Sequence, residues 1–269
     1  MAEYQEALEL KGDEEVAVSQ EGKYLYCIIG TNEGRNFGPI GIGNRGNVVS
    51  TIGYRELSGV ISNSPMAKYV ISRENLMAHE KVIEKVMQDY TVLPVRFCTI
   101  ASSAEEIRNL LRKRYIEFKN LLRDMDNKIE VGIKALWKDI NAIFAELAKE
   151  NEKIRQLKEK VYPKSPSNQT YANKITLGKM VQSALLAKRK SEGEKILNVF
   201  KRISVDFRSN KTHGDNMILN AAFLIDKSRE KEFDNQVDEL TGKYGKKIRF
   251  NYVGPTPPFN FVNIVVEWR

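Results

Sequence analysis

The chain has 269 residues, 42% of them apolar and 29% charged, with a formal net charge of +8. That composition fits one large or two ordinary globular domains, and no apolar run approaches the twenty residues that a membrane-spanning helix needs. The acidic start, MAEYQEALELKGDEEVAVSQEG, lacks the basic and apolar regions of a secretory signal, and Cys27 and Cys98 read as buried free thiols in a reducing cytoplasm.

Residues 1–22 read as an acidic flexible tail. Residues 23–30 (KYLYCIIG) are aromatic and β-branched, as in a buried strand. A glycine-rich loop over 31–46 precedes strands over 47–52 and 57–62. Residues 73–90 are helical, with Leu76, His79, Val82, Ile83, Val86 and Met87 along one face. A short strand over 92–97 carries Pro94. A helix over 103–124 follows, capped by Ser102 or Ser103 with Glu105 and Glu106 in its first turn.

A polar turn at 124–128 marks the predicted boundary between an N-terminal α+β domain, 23–127, and a C-terminal one, 128–269. There a strand over 129–137 leads into a helix over 139–161, where Ile140, Leu147, Ile154 and Val161 recur every seven residues. Two prolines in 162–173 reverse the chain, and a second helix runs back over 174–204, so an antiparallel hairpin occupies about 139–204. The charged stretch 188–195, with Gly193, predicts an exposed or bent part of that helix. Strand, helix and strand follow over 217–226, 228–242 and 246–253, then a last strand over 260–267. The predicted class is α+β with two domains, the second ferredoxin-like with a long antiparallel helical hairpin.

Few motifs carry chemistry. Gly41-Ile-Gly-Asn-Arg-Gly46 matches G-x-G-x-x-G, but a strand follows where a nucleotide site needs a helix N-terminus. His79-Glu80 opens like a zinc protease motif, yet position 83 is isoleucine, and His213 sits in a turn. No serine lies in a nucleophile elbow and no cysteine is flanked by basic residues. The sequence therefore predicts no enzyme, no metal and no cofactor.

Charge is uneven: residues 1–127 carry a net −2 and residues 128–269 a net +10. Lys188, Arg189 and Lys190 are candidate contacts for an acidic partner. Aromatic residues are not interleaved with the basic clusters, so a nucleic-acid platform is an alternative rather than the expectation. A ligand-binding regulatory domain is a further alternative. Near the end, Tyr252-Val-Gly-Pro-Thr-Pro-Pro-Phe-Asn-Phe-Val262 is a stiff connector between two strands. Pro257, Pro258, Phe259 and Phe261 either complete a core or form a docking surface.

Taken in order, these pieces resemble the gas vesicle GvpF/GvpL family over about residues 23–266. The matching pieces are Tyr24-Leu-Tyr26, Gly41-Ile-Gly43 with Gly46, His79-Glu80-x-Val82-Ile83, Val92-Leu-Pro-Val-Arg-Phe97, Glu130-Val-Gly132, Leu177-Gly178-Lys179, Asn220-Ala-Ala-Phe-Leu-Ile225 and Gly254-Pro-x-Pro-Pro-Phe-x-Phe-Val262. This chain has Cys98 where the family commonly has glycine, and Thr256 where it commonly has an aromatic. The resemblance implies a cytoplasmic, non-enzymatic accessory protein of gas vesicle formation, with no nucleic acid and no membrane span. Its implied partners are the small hydrophobic shell protein GvpA and other accessory proteins, with a gas-facing position proposed for some members.

Overall fold

The computed structural model describes residues 21–43, 46–161 and 168–268. They divide into two compact units. The first takes the chain up to Arg123 and again from Ile264 onward, and the second is Asp124–Asn263.

In the first unit, β1 (Glu21–Ile29) is buried at nearly every position, as its aromatic and branched side chains require. It pairs antiparallel with β4 (Leu57–Pro65) on one side, and with β5 (Val92–Pro94) and β6 (Ile100–Ala101) on the other. β3 (Val49–Tyr54) and β2 (Asn36–Gly38) extend the sheet in the order β2-β3-β4-β1-β5. Helix α1 (Arg73–Met87) begins where the Ser72 hydroxyl accepts from Asn75 N, and it buries His79, Val82, Ile83 and Val86. Leu76, predicted on that buried face, is instead exposed.

The helix predicted over 103–124 is two helices, α2 (Ala104–Lys113) and α3 (Tyr115–Met125). Ser103 caps α2 by accepting from Glu106 N, and Arg114 leaves the helical region at φ −109° and ψ 23°. The Arg114 guanidinium then binds Glu117 and the Val265 carbonyl, tying the returning C-terminal residues down. The strand predicted over 260–267 does not form. One parallel bridge, Val95 to Ile264, takes its place.

The second unit has four antiparallel strands in the order β10-β7-β9-β8: β7 (Lys128–Trp137), β8 (Asp206–Ser209), β9 (Met217–Asp226) and β10 (Ile248–Thr256). The helix predicted over 139–161 divides into α4 (Ile140–Glu150) and α5 (Glu152–Val161). Asn151 leaves the helix at φ −111°, ψ 103°, and its side-chain oxygen accepts from Ile154 N to restart it. Helix α6 (Asn168–Lys201) begins earlier than predicted, and residues 162–167 of the predicted reversal lie outside the described residues. α6 runs straight through Gly193. A Cβ there would stand 3.2 Å from the Ile218 carbonyl, so glycine lets the helix approach β9 closely rather than bending it.

Phe200 of α6, Phe223 of β9 and Phe233 of α7 (Glu230–Tyr244) meet in the core, Phe200 and Phe233 stacking with centroids 4.6 Å apart. Of the acidic tail predicted over 1–22, Glu21 and Gly22 open β1, and residues 1–20 lie outside the described residues. Among the described residues no helix is long and apolar enough to cross a membrane.

Candidate functional site

The proline-rich connector is anchored by a buried carboxylate. Glu130, on β7, accepts from Asn260 N at 2.7 Å and from Asn260 Nδ2 at 2.5 Å. Thr256 Oγ1 donates to the Glu130 carbonyl at 3.2 Å. Burial pushes the Glu130 pKa above the ordinary carboxylate range, while the two Asn260 bonds pull against that shift. At Gly254 φ is +139°, and a Cβ would lie 2.9 Å from Val131 Cγ1 and 3.1 Å from the Glu130 carbonyl. Only glycine fits there. The Glu130-Val-Gly132 and Gly254-Pro pieces, more than 120 residues apart in the chain, are thus one construction.

Within this loop Pro257 and Pro258 are buried, and the Pro258 carbonyl accepts from both Phe261 N and Val262 N. Phe259 and Phe261 are half-buried, and the Arg208 guanidinium lies 5.5 Å from the Phe261 ring centroid.

The basic trio lies elsewhere. Lys188 Nζ is 3.0 Å from Glu146 and 3.3 Å from Glu150, with only 14% of its side chain exposed. Lys247 Nζ is 2.9 Å from Glu146 and 3.1 Å from Glu192, and Trp137 Nε1 donates to Glu192 at 2.6 Å. Burial opposes the charge on Lys188, but its bonds to Glu146 and Glu150 hold its pKa above the ordinary lysine value. The stretch predicted as exposed therefore contributes to an ion cluster of two ammonium groups and three carboxylates. Arg189 donates to the Gly214 and Asp215 carbonyls, which fastens the β8–β9 connection. Lys190 is exposed. Glu130 and Trp137 lie seven residues apart on β7, about 23 Å at strand rise. The two predicted groups, connector and basic trio, are therefore at opposite ends of that strand.

In the first unit the residues that resembled chemistry form a buried polar network. The Tyr24 hydroxyl accepts from Cys98 N at 2.8 Å and lies 3.1 Å from His79 Nδ1. The His79 ring also bonds the Val95 backbone, and a neutral ring that donates there can accept from the Tyr24 hydroxyl at Nδ1. Burial lowers the His79 pKa to about 4. The Tyr26 hydroxyl accepts from Ile42 N, which pins the glycine-rich loop, and lies 2.9 Å from the Ser62 hydroxyl. Cys98 holds φ at +64°, the left-handed region that favours glycine, and its sulfur accepts from Tyr69 N. Contrary to the expected burial of both thiols, Cys98 is partly exposed, while Cys27 is fully buried.

One surface was not anticipated. Val70 and Ile71, just before α1, are 76% and 79% exposed, and Met66, Leu76 and Met77 are exposed with them. Their only signal is an apolar run, Met66-Ala-Lys-Tyr-Val-Ile71, in a stretch with neither strand nor helix period. Met66 also lines a cavity of about 340 Å³ together with Lys68, Arg96, Cys98, Val265 and Trp268.

These features define a mixed α and β protein with two antiparallel sheets among the described residues, whose polar groups lock loops and strands. Among the described residues no cluster of His, Cys, Asp and Glu could hold a metal ion. Over residues 22–263 the chain matches the family model for the gas vesicle synthesis protein GvpL/GvpF, and it belongs to that family. It is 28% identical over 206 residues to gas vesicle protein F of Nostoc sp., covering 76% of this chain and 83% of that one. It is 25% identical over 195 residues to gas vesicle protein L of a Streptomyces species, covering 71% and 69%. The crystal structure of GvpF from Anabaena sp. matches with a TM-score of 0.77 and 25% identity, over 91% of this chain and all of the other. That of GvpF from Microcystis aeruginosa matches with a TM-score of 0.73 and 26% identity, over 90% and 99%. The family has a role in gas vesicle formation and is not a known enzyme family.

Proposed function

We propose that this protein is a cytoplasmic accessory factor that binds the small hydrophobic shell protein GvpA, other accessory proteins, or both, during nucleation and assembly of the vesicle shell. The observation that carries this reading is the family match over 22–263. A shell subunit with a water-excluding face needs a partner offering apolar surface, with charge to set register. Two places supply it: the exposed Val70–Ile71 region of the first unit, and Phe259 and Phe261 of the second, held by the Glu130 anchor. Pro257 and Pro258 act by stiffening that loop, which lowers the ordering cost of binding. In this reading Lys190 is the member of the basic trio free to meet a partner, and a gas-facing position in the vesicle is the place such a surface would serve.

We further read the second unit as ferredoxin-like. The strand order β10-β7-β9-β8, with helices between β7 and β8 and between β9 and β10, supports that topology, as does the antiparallel packing of α6 on α4 and α5. The test is co-expression with the shell protein and co-purification at low and high salt. Retention that persists at high salt supports an apolar contact, and retention lost at high salt supports a charged one. No retention in either condition overturns direct shell binding.

A further inference from the structure

We propose that the groove between the loop after β4, the segment joining β5 to β6 and the returning C-terminal residues is a binding site for a small amphipathic anion, a carboxylate on an aliphatic or aromatic body. All three walls belong to the first unit. The proposal stands apart from the shell-binding reading, and its test uses no shell protein.

Charge identifies the head group. Lys68 and Arg96 line the groove and are exposed. Neither has an ion pair or a side-chain hydrogen bond among the described residues, and no Asp or Glu is among the described lining residues. By contrast, Arg35, Arg108, Arg114 and Lys119 of the same unit are paired with carboxylates. Two unpaired cations at one cavity attract an anion, and the planar guanidinium of Arg96 can take a carboxylate through two parallel N–H donors. A second cavity, beside Phe37 and Tyr90, lacks this property: it includes Asp89, and Arg35 there already binds Glu33.

The apolar lining identifies the body. Phe97, Ile100, Val266 and Trp268 are half-buried in the same groove. The cavity is about 340 Å³, at the small end of the roughly 300–1,000 Å³ of ligand sites. That size suits a medium-chain carboxylate rather than a polymer.

The walls are fixed before any ligand arrives. Cys98 N donates to the Tyr24 hydroxyl at 2.8 Å, Thr99 Oγ1 to the Arg96 carbonyl at 2.6 Å, and Leu25 N to the Thr99 carbonyl at 2.8 Å. Tyr69 N donates to Cys98 Sγ, which fastens the loop after β4 to the second wall. Arg114 Nη1 donates to the Val265 carbonyl at 2.9 Å and holds the third. A site built this way loses little freedom on binding.

The test adds octanoate, below its micelle concentration, to the folded full-length chain. Trp137 is 1% exposed and Trp268 lines the groove, so acrylamide quenching of tryptophan emission reads Trp268. Cys27 is fully buried and Cys98 lines the groove, so labelling by a neutral maleimide is a second, chemically unrelated readout. Octanoate should suppress both saturably, at one half-saturating concentration. Octylammonium, the same body with the opposite charge, and inorganic phosphate, the charge without the body, should each need at least about tenfold more. Lys68→Gln with Arg96→Gln should keep the melting temperature and raise the octanoate requirement about tenfold. No saturable protection by octanoate would overturn the proposal, as would unchanged protection in the double variant. Equal protection by octylammonium would overturn it by removing the charge requirement, and equal protection by phosphate by removing the apolar one. Labelling of Cys27 in octanoate would overturn it by exposing a detergent effect. Protection without ligand that grows with protein concentration would overturn it too, assigning the groove to a second copy of the chain.

Discussion

His79 is buried against Tyr24, Tyr26 and Phe97, with the Val95 backbone and the Tyr24 hydroxyl as its hydrogen-bond partners. The neutral ring is satisfied, and a proton on Nδ1 would put two donors face to face in a desolvated site. Its pKa falls from 6.5 to about 4 on folding. A depressed histidine pKa means that the unfolded chain binds the proton first. Stability is therefore intact above about pH 6.5 and is lost as pH falls toward 4. The full span corresponds to roughly 3 kcal/mol, and about 2 kcal/mol of it is lost by pH 5. Other groups titrate in the same range, so the comparison is with His79→Gln, whose amide can accept from Tyr24 and donate to Val95 without titrating. Urea unfolding followed by circular dichroism at pH 7, 6 and 5 should show the wild type losing about 2 kcal/mol more than the variant between the extremes. Parallel losses in the two proteins would refute the assignment of a buried, neutral His79.

Four other outcomes follow from the geometry. Asn260→Ala leaves one Glu130 oxygen without its side-chain donor, and should cost about 1.5–3 kcal/mol and raise amide exchange at Phe261 and Val262. Gly254→Ala places a methyl against Val131 and the Glu130 carbonyl at a φ that alanine resists, and should lower the urea midpoint by at least about 2 kcal/mol equivalent. Cys98→Gly relieves the left-handed strain but loses the Tyr69 N contact, so its melting temperature should match or slightly exceed the wild type, with a net effect within about 1 kcal/mol. Glu192→Ala removes the acceptor of Trp137 Nε1 and one partner of Lys247, and should shift Trp137 emission while destabilising the second unit by about 1.5–3 kcal/mol.

Where the sequence alone was informative, side chains set the backbone by local rules. The apolar run at Met217–Asp226 is found at its predicted bounds, α1 begins at the predicted Arg73, and Ser103 caps α2. The short edge strand β8, Asp-Phe-Arg-Ser, has no alternation to betray it, because only pairing with β9 makes it a strand. The helix breaks at Arg114 and Asn151 involve neither proline nor glycine, and the seven-residue apolar repeat of 140–161 runs past Asn151 without interruption.

The sites divide the same way. The terminal connector was recognisable from its prolines and its family pattern, but its cause, the Glu130 anchor, joins residues 130 positions apart. Charge spacing suggested a solvated basic face at 188–195, whereas carboxylates from α4 and within α6 gather around Lys188. Sequence shows which charges exist but not which ones tertiary packing pairs.

The central claim is a role in gas vesicle formation, and a gas vesicle gene cluster assembled with and without this chain tests it most directly. With the chain present, cells should float and scatter light, and pressure should collapse that scattering; without it, both signals should be absent and should return when the chain is supplied from a second locus. Normal vesicle yield in its absence, with no related protein in the cluster to replace it, would contradict the account.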